Sequence, residues 1–351
     1  MHLCTLDIVD LRNLESVHME GGAGIHWLYG ANGSGKTSVL EAIYLLARGR
    51  SFRSATLSPV IRDGARRSRI VASTAMPEHR LGMERSAGEW AGRIDGRDCR
   101  RMSEFARCLP LVLVDPENHQ LLEGPPALRR SFLDWLMFHV EHSYLENWRR
   151  YQRALRQRNA ALRDMAGPTT LDALEASMVE PAVAVDRCRE EWVEQLAVAL
   201  VDVQAEIGFR LPRLNLEYRS AASFEGGYLG VWRNSRERDR AVAHTRDGPH
   251  RADLLVRDTG RPVARRFSRG QMKLGALLLR LAALTLQQRR GQTPLLLLDD
   301  PVSELDRPHL DALLAWLPCQ PSQVWVTAVD PKPAVQSRMF HVEQGKIRPM
   351  L

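Results

Sequence analysis

Gly30-Ala31-Asn32-Gly33-Ser34-Gly35-Lys36-Thr37 fits the pattern GxxxxGK[ST], and its reading decides the fold. It follows a buried-strand run, Ile25–Tyr29, and precedes a helical run carrying Val39, Leu40, Ile43 and Leu46. Strand, glycine loop and helix in that order are the context a phosphate-binding loop requires. The glycines let backbone N–H groups close round a β-phosphate, and the helix adds its positive end. Lys36 is expected to reach the β- and γ-phosphates, and the Thr37 hydroxyl to bind Mg²⁺. The ligand pair this chemistry calls for is ATP with Mg²⁺.

Far along the chain, Leu295–Leu298 is a short, fully apolar run of the buried parallel-strand kind, and it delivers Asp299 and Asp300. Asp299 is expected in the Mg²⁺ shell. Asp300 is placed to orient or deprotonate the attacking water, which makes Asp300 and Lys36 the catalytic pair. A helix N-cap by one of these aspartates is the plainer alternative. Ser268-Arg269-Gly270-Gln271 precedes this strand and opens another helical run, giving a second anion-binding N-terminus. One nucleotide cannot use both sites. The economical reading is a trans signature that meets the γ-phosphate of ATP held by a second copy, with a simple helix cap as the alternative. Ser303 and Asp306, in Ser303-Glu304-Leu305-Asp306, sit at the spacing of a subunit-contact loop.

Composition narrows the class. The chain has 351 residues and a formal charge of +7, with only four lysines, at Lys36, Lys273, Lys332 and Lys346. Arginine matches phosphate geometry, although a GC-rich genome also supplies it, so the excess is compatible with an anionic partner. No apolar run reaches the roughly 18 residues of a membrane span. The N-terminus, with Asp7 and Asp10, has no basic leader region. Five scattered cysteines without metal or redox spacing read as reduced thiols in a cytoplasmic protein.

The apolar pattern predicts strands in the first third, at Met1–Ile8, Ile25–Tyr29, Arg69–Ser73 and Leu111–Val114. Helical periodicity runs from about Ala127 to Ala166 and, after Gly167-Pro168, on to Ile207. These two stretches are expected to form an antiparallel hairpin reaching on the order of 50 Å. Arg233–Arg240 reads as a solvated helix face, with part of a polyanion-binding surface as the alternative. The division expected is 1–114 for the first part of an ATPase core, 115–244 for a helical insertion and 245–351 for completion of the core. The fold class is α/β, a P-loop lobe with a mixed sheet plus a mostly helical second lobe.

Ordered phrases along the whole chain carry a family resemblance. They are Gly30–Ala42 (GANGSGKTSVLEA), Gly49–Arg53 (GRSFR), Gly124–Asp134 (GPPALRRSFLD), Gly248–Leu254 (GPHRADL), Ser268–Lys273 (SRGQMK), Leu296–Asp306 (LLLDDPVSELD) and Phe340–Ile347 (FHVEQGKI). The chain resembles the RecF family of bacterial recombination and repair proteins, within the SMC-like branch of the ABC-type ATPases. That resemblance implies an ATP-dependent homodimer, DNA binding (single-stranded or linear DNA, duplex or junction) and slow ATP hydrolysis. It also implies work with RecO and RecR to load RecA in gap repair, replication maintenance and SOS induction. Basic candidates for DNA phosphates are Arg50, Arg53, Arg62, Arg66, Arg67, Arg69, Arg129, Arg130, Arg149, Arg150 and Arg251. Asp300 stands where most relatives of the wider ABC class have Glu. Thr327 is a candidate γ-phosphate sensor, since the strand Val324–Val329 lacks the switch His of transporters. A small-molecule kinase has no use for the Ser268 motif, and a transporter motor would need a membrane partner. An ATP-gated dimeric scaffold without hydrolysis is the remaining alternative.

Overall fold

The computed structural model describes residues 1–54, 56, 60–86, 88–221, 226–331 and 337–350. Two compact units emerge, the first made of Met1–Asn118, Asp202–Arg210 and Leu277–Leu351, the second of His119–Val201 and Leu211–Ala276.

The first unit holds two six-stranded sheets. One is mixed, in the order Lys346–Met350, Ser337–Glu343, Ile25–Tyr29, Val324–Ala328, Leu295–Leu298, Leu111–Val114. Its neighbours are parallel except for the hairpin at the Lys346–Met350 edge. Its inner strands are continuously apolar because both faces are covered, as the all-buried Leu295–Leu298 and Val324–Ala328 demonstrate. The P-loop strand and the Asp299 strand are not neighbours. Val324–Ala328 instead lies between them, pairing with both. A run buried at every position belongs in the middle of such a sheet, and this placement puts Thr327 between the loop and the carboxylates.

The other sheet is antiparallel, in the order Leu14–Glu20, His2–Leu11, Arg67–Ala75, His79–Ser86, Trp90–Ile94, Arg97–Cys99. Arg67–Ala75 alternates exposed and buried positions, as a sheet with one solvated face must. Helix Lys36–Arg48 touches strands of both sheets. Nearly all of its residues are buried, which explains an apolar content beyond that of an ordinary surface helix.

The second unit contains helices Pro126–Val140, Tyr144–Arg163 and Gly227–Val242, and most of Pro168–Ile207. The first expected helical stretch is broken at Glu141–Ser143, where the Glu141 carboxylate accepts from the Ser143 amide and hydroxyl. The second is one continuous helix of 40 residues with Pro181 inside it. At 1.5 Å per residue it spans about 60 Å, longer than expected. This unit runs to Ala276, beyond the expected return at 245, because Asp253–Asp258 pairs with Asn215–Arg219 in a three-stranded sheet.

Its interior is charged. Arg158 is fully buried and forms ion pairs with Glu175 at 3.0 Å and Asp239 at 2.8 Å, both carboxylates also buried. The Thr245 hydroxyl and the Trp232 carbonyl accept from its remaining donors. Arg233–Arg240, expected as a solvated face, thus supplies Asp239 to the core and Arg236 to Glu175 and Asp172. A buried pair does not stabilise much relative to an apolar substitute, but removing one partner strands the other. Arg158→Ala is expected to lower unfolding free energy by about 3–5 kcal/mol in urea titration. Arg150→Ala, which breaks only an exposed pair with Glu180, is expected to leave the midpoint unchanged.

Candidate nucleotide site

The loop Gly30–Gly35 is built for bare backbone. Gly30 and Gly35 have φ of 150° and 119°. A Cβ at Gly30 would lie 2.1 Å from the Val342 carbonyl oxygen, and one at Gly35 would lie 2.8 Å from Leu14 Cδ2. Ala31 and Asn32 are exposed at the mouth, while Ser34 is buried. Asn13, which no motif reading singled out, braces the loop. Its amide donates to the Gly33 carbonyl at 3.0 Å and its oxygen accepts from Ser38 at 3.0 Å. The Gly345 amide donates to the Ser34 carbonyl at 2.8 Å, so the chain's last hairpin also supports the loop.

Lys36 folds back over the loop and donates to the carbonyls of Gly30 at 2.7 Å and Ala31 at 2.9 Å. Burial pulls its pKa down, opposed by Asp300 and Asp299. Thr37 donates to Asp299 Oδ1 at 2.9 Å, and Thr327 donates to the same oxygen at 2.7 Å. Burial pushes the Asp299 pKa up, and the two hydroxyls oppose that rise. Asp300 takes the left-handed conformation at φ 49°, fixed by its amide donating to Thr327 Oγ1 at 2.8 Å. Asp300 stands at the N-cap position of Pro301–Glu304, yet its side chain makes no capping bond. Its Oδ1 is buried without a hydrogen-bond partner among the described residues.

Asn32, Lys36, Thr37, Asp300 and Thr327 line a cleft of about 620 Å³ together with Arg12 and Arg53. A hydroxyl and a carboxylate meeting at Asp299 fit Mg²⁺, which takes one or two protein ligands and fills its octahedron with water and phosphate. The glycine cradle fits a triphosphate.

The remaining site candidates divide. Ser268–Gly270 are exposed in the second unit at the start of helix Arg269–Arg289. The Ser268 amide donates to Gln271 Oε1 at 2.9 Å and the Gln271 amide to Ser268 Oγ at 3.3 Å, a reciprocal capping box. Ser303 is exposed, and Asp306 caps Arg307–Trp316 by accepting from the His309 amide.

Of the DNA candidates, Arg50, Arg66 and Arg67 are exposed, Arg67 beside Glu84 at 3.1 Å. Arg53 belongs to the cleft, 3.6 Å from the buried carboxylate of Glu41, which also grips Arg12. Arg129 and Arg130 are half-buried and engaged within the fold. Arg129 makes a two-pronged bond to Asp253 at 2.8 and 3.0 Å, and Arg130 donates to the Ala252 carbonyl at 2.9 Å. Asp134, one turn on from Arg130, is taken by Arg189 and Tyr144.

The family model described as RecF/RecN/SMC N terminal domain matches residues 2–346. Proteins described as DNA replication and repair protein RecF, from Thioalkalivibrio sulfidiphilus and Pseudomonas aeruginosa, are each 39% identical to this chain. The first alignment covers 99% of both chains, the second 99% of this chain and 97% of its relative. A solved structure described as the recombination mediator protein RecF-ATP in the RecFOR pathway superposes with a TM-score of 0.90 at 24% identity, covering 100% of this chain and 98% of that one. An Smc head bound to the C-winged helix domain of ScpA superposes at 0.60 with 14% identity, covering 100% and 97%. At these identities the two likenesses bear on the fold.

The raised pKa of Asp299 has a consequence for the nucleotide-free chain. Above its folded pKa the native state carries the whole penalty of a buried charge. Below the unfolded value neither state is charged and the penalty is gone. Asp299→Asn is therefore expected to unfold at higher urea than wild type at pH 7, with the gap closing as pH falls toward about 4. A variant less stable at pH 7 would contradict the burial account.

Proposed function

The chain belongs to the RecF family of DNA replication and repair proteins, and on that premise we propose that it is an ATP-switched DNA-binding protein whose two copies close on two nucleotides. The observation that carries this reading is the division of the catalytic set. Lys36, Thr37 and Asp300 line one cleft in the first unit, with Asp299 bonded to Thr37, while Ser268–Gly270 stand exposed at a helix start in the second. A helix N-terminus, with its positive end and the Ser268 hydroxyl, is a ready partner for the γ-phosphate of ATP held by another copy.

In this mechanism Lys36 leaves the Gly30 and Ala31 carbonyls and neutralises the β- and γ-phosphates. Thr37 and Asp299 would hold Mg²⁺, which would supply charge neutralisation when bound. Asp300 accepts a proton from the attacking water, and Thr327 fixes the backbone that aims it. Asp300 is one methylene shorter than the Glu expected at this place in the wider ABC class, which supports slow turnover suited to a switch. Hydrolysis removes the bridging γ-phosphate and with it the closed dimer.

DNA would meet the closed dimer through phosphate contacts, with strong salt dependence and little sequence preference. Exposed Arg50, Arg66 and Arg67 suit that role. The relatives' names place them in replication and repair, and one neighbour is described within the RecFOR pathway. We extend this to cytoplasmic gap repair, replication maintenance and SOS induction, with RecO and RecR as partners in loading RecA. No helix among the described residues is long and apolar enough to cross a membrane.

Mass in solution tests the reading. Light scattering is expected to give a dimer that needs ATP and Mg²⁺, lost in Ser268→Arg while ATP binding persists. Asp300→Asn is expected to retain the dimer and lose about 10²-fold or more in turnover. A wild type that stays monomeric with ATP and DNA would refute the clamp. A dimer with no turnover in wild type would favour the ATP-gated scaffold.

A further inference from the structure

Gly248–Leu254 (GPHRADL) takes no part in the nucleotide cleft, yet its polar groups are tied down one after another. Gly248 has φ of 151°, and a Cβ there would lie 2.3 Å from the Tyr151 hydroxyl. His250 bridges Tyr151 Oη at 2.6 Å and the Thr245 carbonyl at 3.1 Å. Burial pushes its pKa down to about 4, so the ring is neutral at physiological pH. Three arginines then staple the backbone and its acid. Arg189 donates to the Pro249 carbonyl at 2.7 Å, Arg130 to the Ala252 carbonyl at 2.9 Å, and Arg129 to both oxygens of Asp253. The Arg251 amide closes the turn on the Gly248 carbonyl at 2.8 Å.

One charged side chain of the motif is left over. Arg251 is exposed and forms no ion pair among the described residues. Across the sheet, Arg219 pairs in register with Asp253, its guanidinium 60% exposed and 3.8 Å from a carboxylate that Arg129 already occupies. Arg130 lies within electrostatic reach of Arg251. Asp253 is held by Arg129 and Asp134 by Arg189, so the charges of Arg251 and Arg219 face outward. A flexible surface arginine loses much conformational freedom on binding, whereas a stapled turn has its backbone share fixed before any ligand arrives.

We propose that Arg251, with Arg219 on the neighbouring strand, is a phosphate anchor for duplex DNA on the second unit. The inference rests on the DNA-binding reading above and assigns it a place. A phosphodiester backbone offers repeated anions to two separate guanidinium groups, and the planar Arg fork matches phosphate oxygens.

Binding of a fluorescent duplex oligonucleotide, measured by anisotropy across a salt series with ATP and Mg²⁺, tests it. Arg251→Ala is expected to weaken binding by about fivefold and to reduce the log–log salt slope by about one for each protomer engaged. Arg251→Lys, which keeps the charge, is expected to restore most of the slope. Thermal melting and affinity for a fluorescent ATP analogue are expected to match wild type, because the side chain is exposed and outside the cleft. Unchanged DNA affinity and slope in Arg251→Ala, with wild type binding normally, would overturn the anchor alone. Lost ATP affinity with DNA binding intact would also overturn it, assigning the arginine to a nucleotide phosphate. A wild type that binds no DNA would remove the parent reading and the anchor with it.

Discussion

A single carboxylate oxygen, Oδ1 of Asp299, accepts from Thr37 at 2.9 Å and from Thr327 at 2.7 Å. Those three residues come from the P-loop helix, the end of Leu295–Leu298 and the strand between them, segments remote in sequence. Through Thr327 the same knot fixes the amide of Asp300 and the left-handed backbone that aims its side chain. The constraint costs stability, since the acid is buried and its pKa is raised. Such a cost is tolerated where a hard cation and a triphosphate would use the same oxygens.

Arginine serves several purposes in this chain. Arg158 and Arg189 are buried and knit helices through carboxylates, tyrosine hydroxyls and carbonyls. Arg129 and Arg130 hold one turn in place, and Arg12 and Arg53 gather on Glu41 beside the cleft. The net charge therefore overstates what is free to meet an anion. Local geometry, more than composition, separates structural guanidinium groups from those left at the surface.

The nucleotide cleft was legible because phosphate chemistry demands fixed residue types at fixed spacing, and Gly30–Thr37 and Asp299-Asp300 meet that demand within short windows. The strand order was less legible. Nothing local to Val324–Ala328 says that it enters between its two partners, although its unbroken burial fits the central place. The bond of Arg129 was illegible for a related reason, since its partner Asp253 lies 124 residues away. Asn13 carries no motif at all, and its role follows only from where the first hairpin meets the loop. The helical hairpin was read correctly as helix, but its break at Glu141–Ser143 depends on a single side-chain turn.

The central claim is that each ATP is completed by a second copy, and mixing two inactive variants tests it most directly. Lys36→Ala lacks a working cleft but keeps Ser268, while Ser268→Arg keeps the cleft and lacks the signature. Each alone is expected to hydrolyse almost no ATP. In an equal mixture the heterodimer pairs one intact cleft with one intact signature, so turnover is expected to rise toward roughly a quarter of the wild-type rate. A mixture no more active than its two components would contradict a site shared between copies.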